Sequence, residues 1–194
     1  INTLKGNINW MKVHEQEMQS PLFQNIENLK PVIPSGNSDS ASLDNVFELL
    51  TTSGHSAPLA KLILIPDAWS KKSKVLPKEH LQLFNFLNSS MEPWDGPAAI
   101  AGTDNEWVIL ASDRSGLRPM RYTVSKDKLL FAGSETGMIE LNEKKIIEKG
   151  RLGPGEILGV RIKKGKIFKN TQIKNYLAKE YKHFNNQIIN LDKK

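Results

Sequence analysis

The sequence predicts an α+β fold with helices layered on an antiparallel sheet, and three observations predict it. Apolar residues in the first half recur at helical spacing, whereas the second half is a series of short β-type runs. Those runs are joined by links short enough for antiparallel hairpins. At 194 residues, 39 % hydrophobic and 25 % charged, the chain fits one domain able to bury a real core.

Residues 7–18, NINWMKVHEQEM, have mixed periodicity and predict a helix of about three turns after Asn7. Pro21, Pro31, Pro34 and Gly36 make the next stretch an irregular connection holding at most a short helical turn. From Ser40 to Thr52, Leu43, Val46, Phe47 and Leu50 fall on one helical face, with Gly54 placed as a C-terminal stop. Ser56 and Pro58 open a second helix over LAKLILI. Pro77 opens a third over KEHLQLFNFLNSS, where Leu81, Phe84 and Leu87 share a face.

The helical part thus covers about residues 1–92 and an antiparallel β part about 97–170. Its strands are AAIAGT, WVILASD, LRPMRYTV, KLLFAGS, EILGVRIK and KIFKN, with turns at TDNE, RSG, SKDK and KKGK. A terminal helix or tail occupies 171–194, either packed on the sheet or trailing from it.

Composition excludes several chemistries. There is no cysteine, hence no disulfide, thiolate metal site or cysteine nucleophile within these residues. His14, His55, His80 and His183 form no H-x-x-x-H pair and read as surface or cap positions, so no metal is expected. The longest apolar run, Leu62 to Pro66, is far short of the roughly 20 residues a bilayer requires. With no basic-then-apolar leader, the expected location is the cytoplasm or an organelle interior, a plastid stroma if eukaryotic.

Residues 121–194 carry 17 basic and 8 acidic side chains, but the lysines alternate with apolar residues or sit at turns. Without an aromatic platform or arginine cluster, that pattern is a solvated face rather than a nucleic-acid groove. The chain opens at Ile1 in the manner of an internal segment, so a fragment or processed product is expected.

No G-x-S-x-G elbow is present. In RLGPGE, Pro154 removes a backbone donor and no G-K-[ST] follows, so Gly153 and Gly155 read as a turn between strands rather than a phosphate loop. GNSDSASLDNVFELL holds the most informative polar residue. Asp39 sits where unpaired backbone N–H groups of a helix start point outward, and a carboxylate there gains roughly 0.3 to 1 kcal/mol. Asp39 is therefore either an N-cap or, since Ser38 or Ser40 caps equally well, a ligand for a cationic group. MEPWDGP and DRSGLRP read as framework, with ion pairs fixing the turns and Arg118 and Arg121 on opposite faces of a strand.

INTLKGNINWMKVHE, NSDSASLDNVFELL, GHSAPLAKLILIPDAW, MEPWDGPAAIAGTD, DRSGLRPMRY and KGRLGPGE occur in this order along the chain. Together they resemble the glutaminase domain, a class II glutamine amidotransferase, of the glutamate synthase large subunit, from Ile1 to about Tyr176. The resemblance implies an N-terminal-nucleophile hydrolase fold, a four-layer αββα sandwich with antiparallel sheets, incomplete at the N-terminus in this chain.

In that family an N-terminal cysteine, its own α-amino group acting as base, attacks the side-chain amide of L-glutamine and releases ammonia and then glutamate. An Asn-Gly pair forms the oxyanion hole. Cysteine, substrate-gripping arginine and oxyanion pair are all expected upstream of Ile1, so no catalytic residue is assigned here and the isolated chain is expected to be inactive. Asp39 matches the aspartate that binds the α-amino group of glutamine, with Ser38 as a second candidate contact. Asn2 matches a position supporting the oxyanion loop, and Arg114, Arg118 and Glu135 carry over as framework.

The resemblance further implies that the ammonia reaches 2-oxoglutarate in a synthase domain. FMN, an iron–sulfur cluster and an electron donor, ferredoxin or a reduced-nicotinamide-dependent small subunit, would belong to the parts that these residues lack. Two other readings stand beside this one: a non-catalytic split subunit completing an amidotransferase with a partner chain, and a basic binding module.

Overall fold

A computed structural model describes residues 15–19, 21, 24–67, 76–91, 93–135 and 137–182. Most of the 7–18 helix expected from the sequence lies outside the described residues; residues 15–17 are helical. Ile26–Leu29 form a short 3-10 turn in the irregular connection that follows.

Helix α1 (Asp39–Thr52) follows the predicted spacing and runs one residue longer at its start. Ser53 ends it, and Gly54 at φ +95° makes the left-handed exit that favours glycine. Helix α2 (Ala57–Leu64) is buried on every side, so its apolar run has no amphipathic stripe. Ser56 is its N-cap residue, as expected, but makes no side-chain cap: the carboxylate of Asp104, in the TDNE hairpin turn, takes the N–H of Ala57 through Oδ2. The other oxygen accepts from Trp107 N at 2.7 Å and Glu106 N at 2.9 Å, so a single side chain closes a hairpin and starts a helix. Helix α3 (Lys78–Ser90) begins after Pro77 as expected and buries Leu83, Phe84 and Leu87, with Leu81 only half-buried.

The β-rich half is not a single meander. Strands β1 (Ala99–Thr103), β2 (Trp107–Ser112), β6 (Ile157–Arg161) and β7 (Lys166–Phe168) form one antiparallel sheet in the order β1-β2-β6-β7. Strands β3 (Arg121–Ser125), β4 (Leu130–Gly133) and β5 (Ile146–Arg151) form a second, in the order β4-β3-β5. The pairs β1-β2, β3-β4 and β6-β7 are hairpins, as the short links predict, but the chain leaves the first sheet after β2 and returns to it at β6.

Strand β5 is absent from the sequence reading. IIEKGR alternates half-buried Ile146, Glu148 and Gly150 with exposed Ile147, Lys149 and Arg151, and its charges and glycine mask the strand period.

Period-two alternation then builds two cores. Trp107, Ile109, Ala111 and Ile157 point to the helical side, where they meet Leu59, Leu62, Phe84 and Leu87 together with Ile173 and Leu177 of α4 (Asn170–Glu180). Leu110 and Leu158 point the other way and meet Met120 and Leu152, with Tyr122 and Leu130 of the second sheet against them. Helices, first sheet and second sheet are therefore successive layers, and the terminal helix packs on β6 rather than trailing away.

His80 corrects the surface assignment of the histidines. It is 3 % exposed, and its Nε2–H meets Asn175 Oδ1 at 2.7 Å, fastening α3 to α4. On the basic third, Lys145 pairs with Asp127, Lys149 with Glu143, Arg161 with Glu106 and Lys169 with Glu148. Such exposed pairs contribute little stability but fit a solvated face.

Candidate functional site

Two aspartates sit among backbone N–H groups. At the start of α1 the cap is Ser38: its backbone is extended (φ −68°, ψ 160°) and its Oγ accepts from Ala41 N at 3.2 Å. Ser40 Oγ lies 3.2 Å from Ser38 Oγ, and Ser42, fully buried, donates its hydroxyl to Ser38 O at 3.0 Å. Asp39 is thereby the first helical residue, half-buried, in the positive first turn of a helix another side chain has capped. Leu43 and Phe47 follow it at i+4 and i+8 on the same face, where they line an apolar cavity of about 40 Å³ with Leu64, Ile100 and Gly102. Asn2 lies outside the described residues.

Asp113 has the opposite role. It is 1 % exposed, and its two oxygens accept from four backbone N–H groups: Ser115 and Leu117 at 3.0 Å, Arg118 at 2.9 Å and Ala98 at 3.2 Å. Burial alone would raise this carboxyl, but the four N–H donors outweigh it and hold it below the ordinary aspartate value. The DRSGLRP turn is thus framework, as read, but fixed by a carboxylate on backbone rather than by ion pairs. Strand β3 begins only at Arg121, so Arg118 lies in the turn and the expected opposite-face pairing does not arise. Arg118 is exposed, Arg114 half-buried, and Glu135 is exposed at the rim of an open groove over the second sheet.

The RLGPGE turn, between β5 and β6, closes on the same place. Gly155 N donates to Asp113 O at 2.8 Å, and Gly155 O accepts from the fully buried Lys61 Nζ at 2.8 Å. Only glycine fits at 155, because φ is +68° and an added Cβ would lie 3.0 Å from Asp67 Oδ1. Asp67 in turn pairs with Lys174 of α4. Desolvation pushes the Lys61 ammonium down to about 8 against the attraction of Asp67, with nearby Lys174 adding to the fall and Asp113 opposing it.

Sequence reading missed this buried ionic cluster. One signal was available: Lys61 is the single charge inside the otherwise apolar PLAKLILIP run. Among the described residues no group of three or more His, Asp or Glu side chains gathers as a metal site, and no helix is long and apolar enough to cross a membrane.

A profile of the class-II glutamine amidotransferases matches residues 1–186. The chain is 51 % identical over 179 residues to a glutamate synthase [NADPH] large chain of Azospirillum brasilense, covering 92 % of this chain and 12 % of that protein. It is 41 % identical to ferredoxin-dependent glutamate synthase 2 of Synechocystis, over 93 % of this chain and 12 % of the relative. The chloroplastic ferredoxin-dependent glutamate synthase 2 of Arabidopsis thaliana is 38 % identical, over 92 % of this chain and 11 % of its own length. The chain therefore spans about an eighth of the length of these relatives. Its match along nearly its whole length, together with helices laid on paired antiparallel sheets of the N-terminal-nucleophile hydrolase type, makes it a member of the class-II glutamine amidotransferase family.

Proposed function

We propose that residues 1–194 are part of the glutaminase domain of a glutamate synthase large chain and that Asp39 binds the α-ammonium group of L-glutamine. The observation that supports this most is the division of labour at the start of α1. Ser38 supplies the side-chain cap by accepting the N–H of Ala41, and Asp39 stands beside it as the first residue of the helix's positive end. A carboxylate in a positive helix turn suits a ligand with a cationic end.

These residues contain no cysteine, so in this reading the nucleophile, the arginine and the oxyanion pair are supplied by another part of the glutaminase domain, and the 194 residues alone are expected not to hydrolyse glutamine. In the assembled site that cysteine attacks the amide, ammonia leaves, and water releases glutamate. Asp39 holds the substrate end that does not react, and Asn2 supports the oxyanion segment. Ser38, with its oxygen committed as an acceptor, is at most a secondary contact.

Ammonia then serves the conversion of 2-oxoglutarate to glutamate elsewhere in the protein. The relatives' names divide between NADPH and ferredoxin, and this domain's partner is one of those two donors. FMN and an iron–sulfur cluster belong to the remaining domains; these residues offer no thiolate to a cluster. The setting is the cytoplasm, or a plastid stroma as in the chloroplastic relatives.

The test is Asp39→Asn in the intact protein. A charge-assisted contact worth about 1.5 to 3 kcal/mol corresponds to a rise in the KM for glutamine of roughly 10- to 150-fold. Synthesis supplied with free ammonium continues. Equal loss of both activities would mean that the helix, not a ligand contact, had failed.

A further inference from the structure

One peptide unit upstream of Asp39 is gripped from both sides. The N–H of Ile33 donates to Glu15 Oε1 at 3.0 Å, and the carbonyl of Val32 accepts from Asn45 Nδ2 at 2.9 Å. These are the two polar groups of a single peptide bond. Glu15 comes from the N-terminal helical turn, Asn45 from the second turn of α1, and the peptide lies in the connection that ends at the Ser38 cap.

Val32 and Ile33 also pack on Val46, Leu64, Ile65 and Trp94, but apolar burial is non-directional and does not fix how a peptide is rotated. Two opposed hydrogen bonds do. Between this clamp and Asp39 stands a tight turn, in which Asn37 N donates to Pro34 O at 3.3 Å and Gly36 takes φ +89°. With that turn compact, the orientation of the peptide is passed on to the first residues of α1.

We propose that Glu15 and Asn45 are positioning residues for Asp39, clamping the Val32–Ile33 peptide so that the Asp39 carboxylate is held in place for glutamine. The inference rests on the reading of Asp39 as the α-ammonium ligand. Glu15 stands in the INTLKGNINWMKVHE stretch, so the clamp ties that segment to the binding carboxylate. Neither residue touches substrate.

The experiment uses the intact protein, with glutamine kinetics and amide hydrogen exchange across residues 33–39 measured in Glu15→Ala, Glu15→Gln and Asn45→Ala. A misplacement of a fraction of an ångström costs about tenfold, so Glu15→Ala and Asn45→Ala raise the KM for glutamine about tenfold with kcat within about twofold, and exchange in 33–39 accelerates. Glu15→Gln keeps an acceptor and stays within about twofold of the parent in both readouts. If Asn45→Ala is too unstable to assay, Asn45→Asp removes the donor at nearly constant shape and takes its place.

Unchanged exchange, or faster exchange with an unchanged KM, overturns the clamp. So does a Glu15→Gln variant as impaired as Glu15→Ala. Asp39→Asn is run alongside: an unchanged KM there overturns the glutamine reading and this proposal with it, whereas a failed exchange arm overturns the clamp alone.

Discussion

Asp39 and Asp113 are the same side chain set among backbone N–H groups, and the molecule uses them in opposite ways. Asp113 takes four N–H groups itself and vanishes into the framework. At Asp39 the neighbouring serine supplies the side-chain cap, and the carboxylate is the first helical residue beside it. The difference teaches that an aspartate in a turn or helix start is judged by who else can satisfy the backbone. Where a second group does so, a ligand role is open; where none does, the carboxylate is structure.

The sharpest way to break this comparison is to remove each carboxylate and read stability. Asp113→Ala strands four N–H groups in a buried turn, and at about 1 kcal/mol each the loss is on the order of 4 kcal/mol by denaturant unfolding. Asp39→Asn is expected to cost no more than about 1 kcal/mol, the helix-dipole contribution of the carboxylate. Comparable losses for the two would end the distinction.

The buried cluster beneath Asp113 gives the next largest effect, and it has a sign. Lys61 titrates near 8 in the folded protein against an ordinary 10.5, so between those values the folded state binds fewer protons than the unfolded one. Its contribution to stability therefore rises with pH across that window, by up to about 3 kcal/mol. Unfolding free energies of the parent and Lys61→Met, compared at pH 7.5 and pH 10, isolate it: the parent should gain on the variant at the higher pH. A gap that stays constant would mean that the ammonium is not desolvated.

Smaller effects test the caps. Asp104→Ala removes the acceptor for the N–H of Ala57 and for its own hairpin turn, at a cost of about 2 kcal/mol. Ser38→Ala should cost about 1 kcal/mol. If Ser38→Ala were neutral in stability, Asp39 would be able to cap in its place and the reasoning for its ligand role would weaken.

Much of this was legible in the sequence because it is local. The spacing of Leu43, Val46, Phe47 and Leu50, Pro58 and Pro77 near helix starts, and the β-branched runs of β2 and β6 each announce their element within a few residues. What was illegible is non-local. The return of the chain to the first sheet at β6, the Asp104 cap on a helix 47 residues away and the Lys61–Gly155 bond across 94 residues leave no local period or spacing. Strand β5 was hidden by its own charges. At the candidate site, local chemistry named Asp39 and Ser38 but left open which of them caps; the backbone of Ser38 decides it.

The most direct test of the central claim is a crystal structure of the intact protein with glutamine or glutamate bound. The account predicts the ligand's α-ammonium nitrogen about 2.7 to 2.9 Å from an Asp39 carboxylate oxygen, with Ser38 still capping α1. An Asp39 carboxylate turned onto the helix N–H groups, with the ammonium held by other residues, would contradict it.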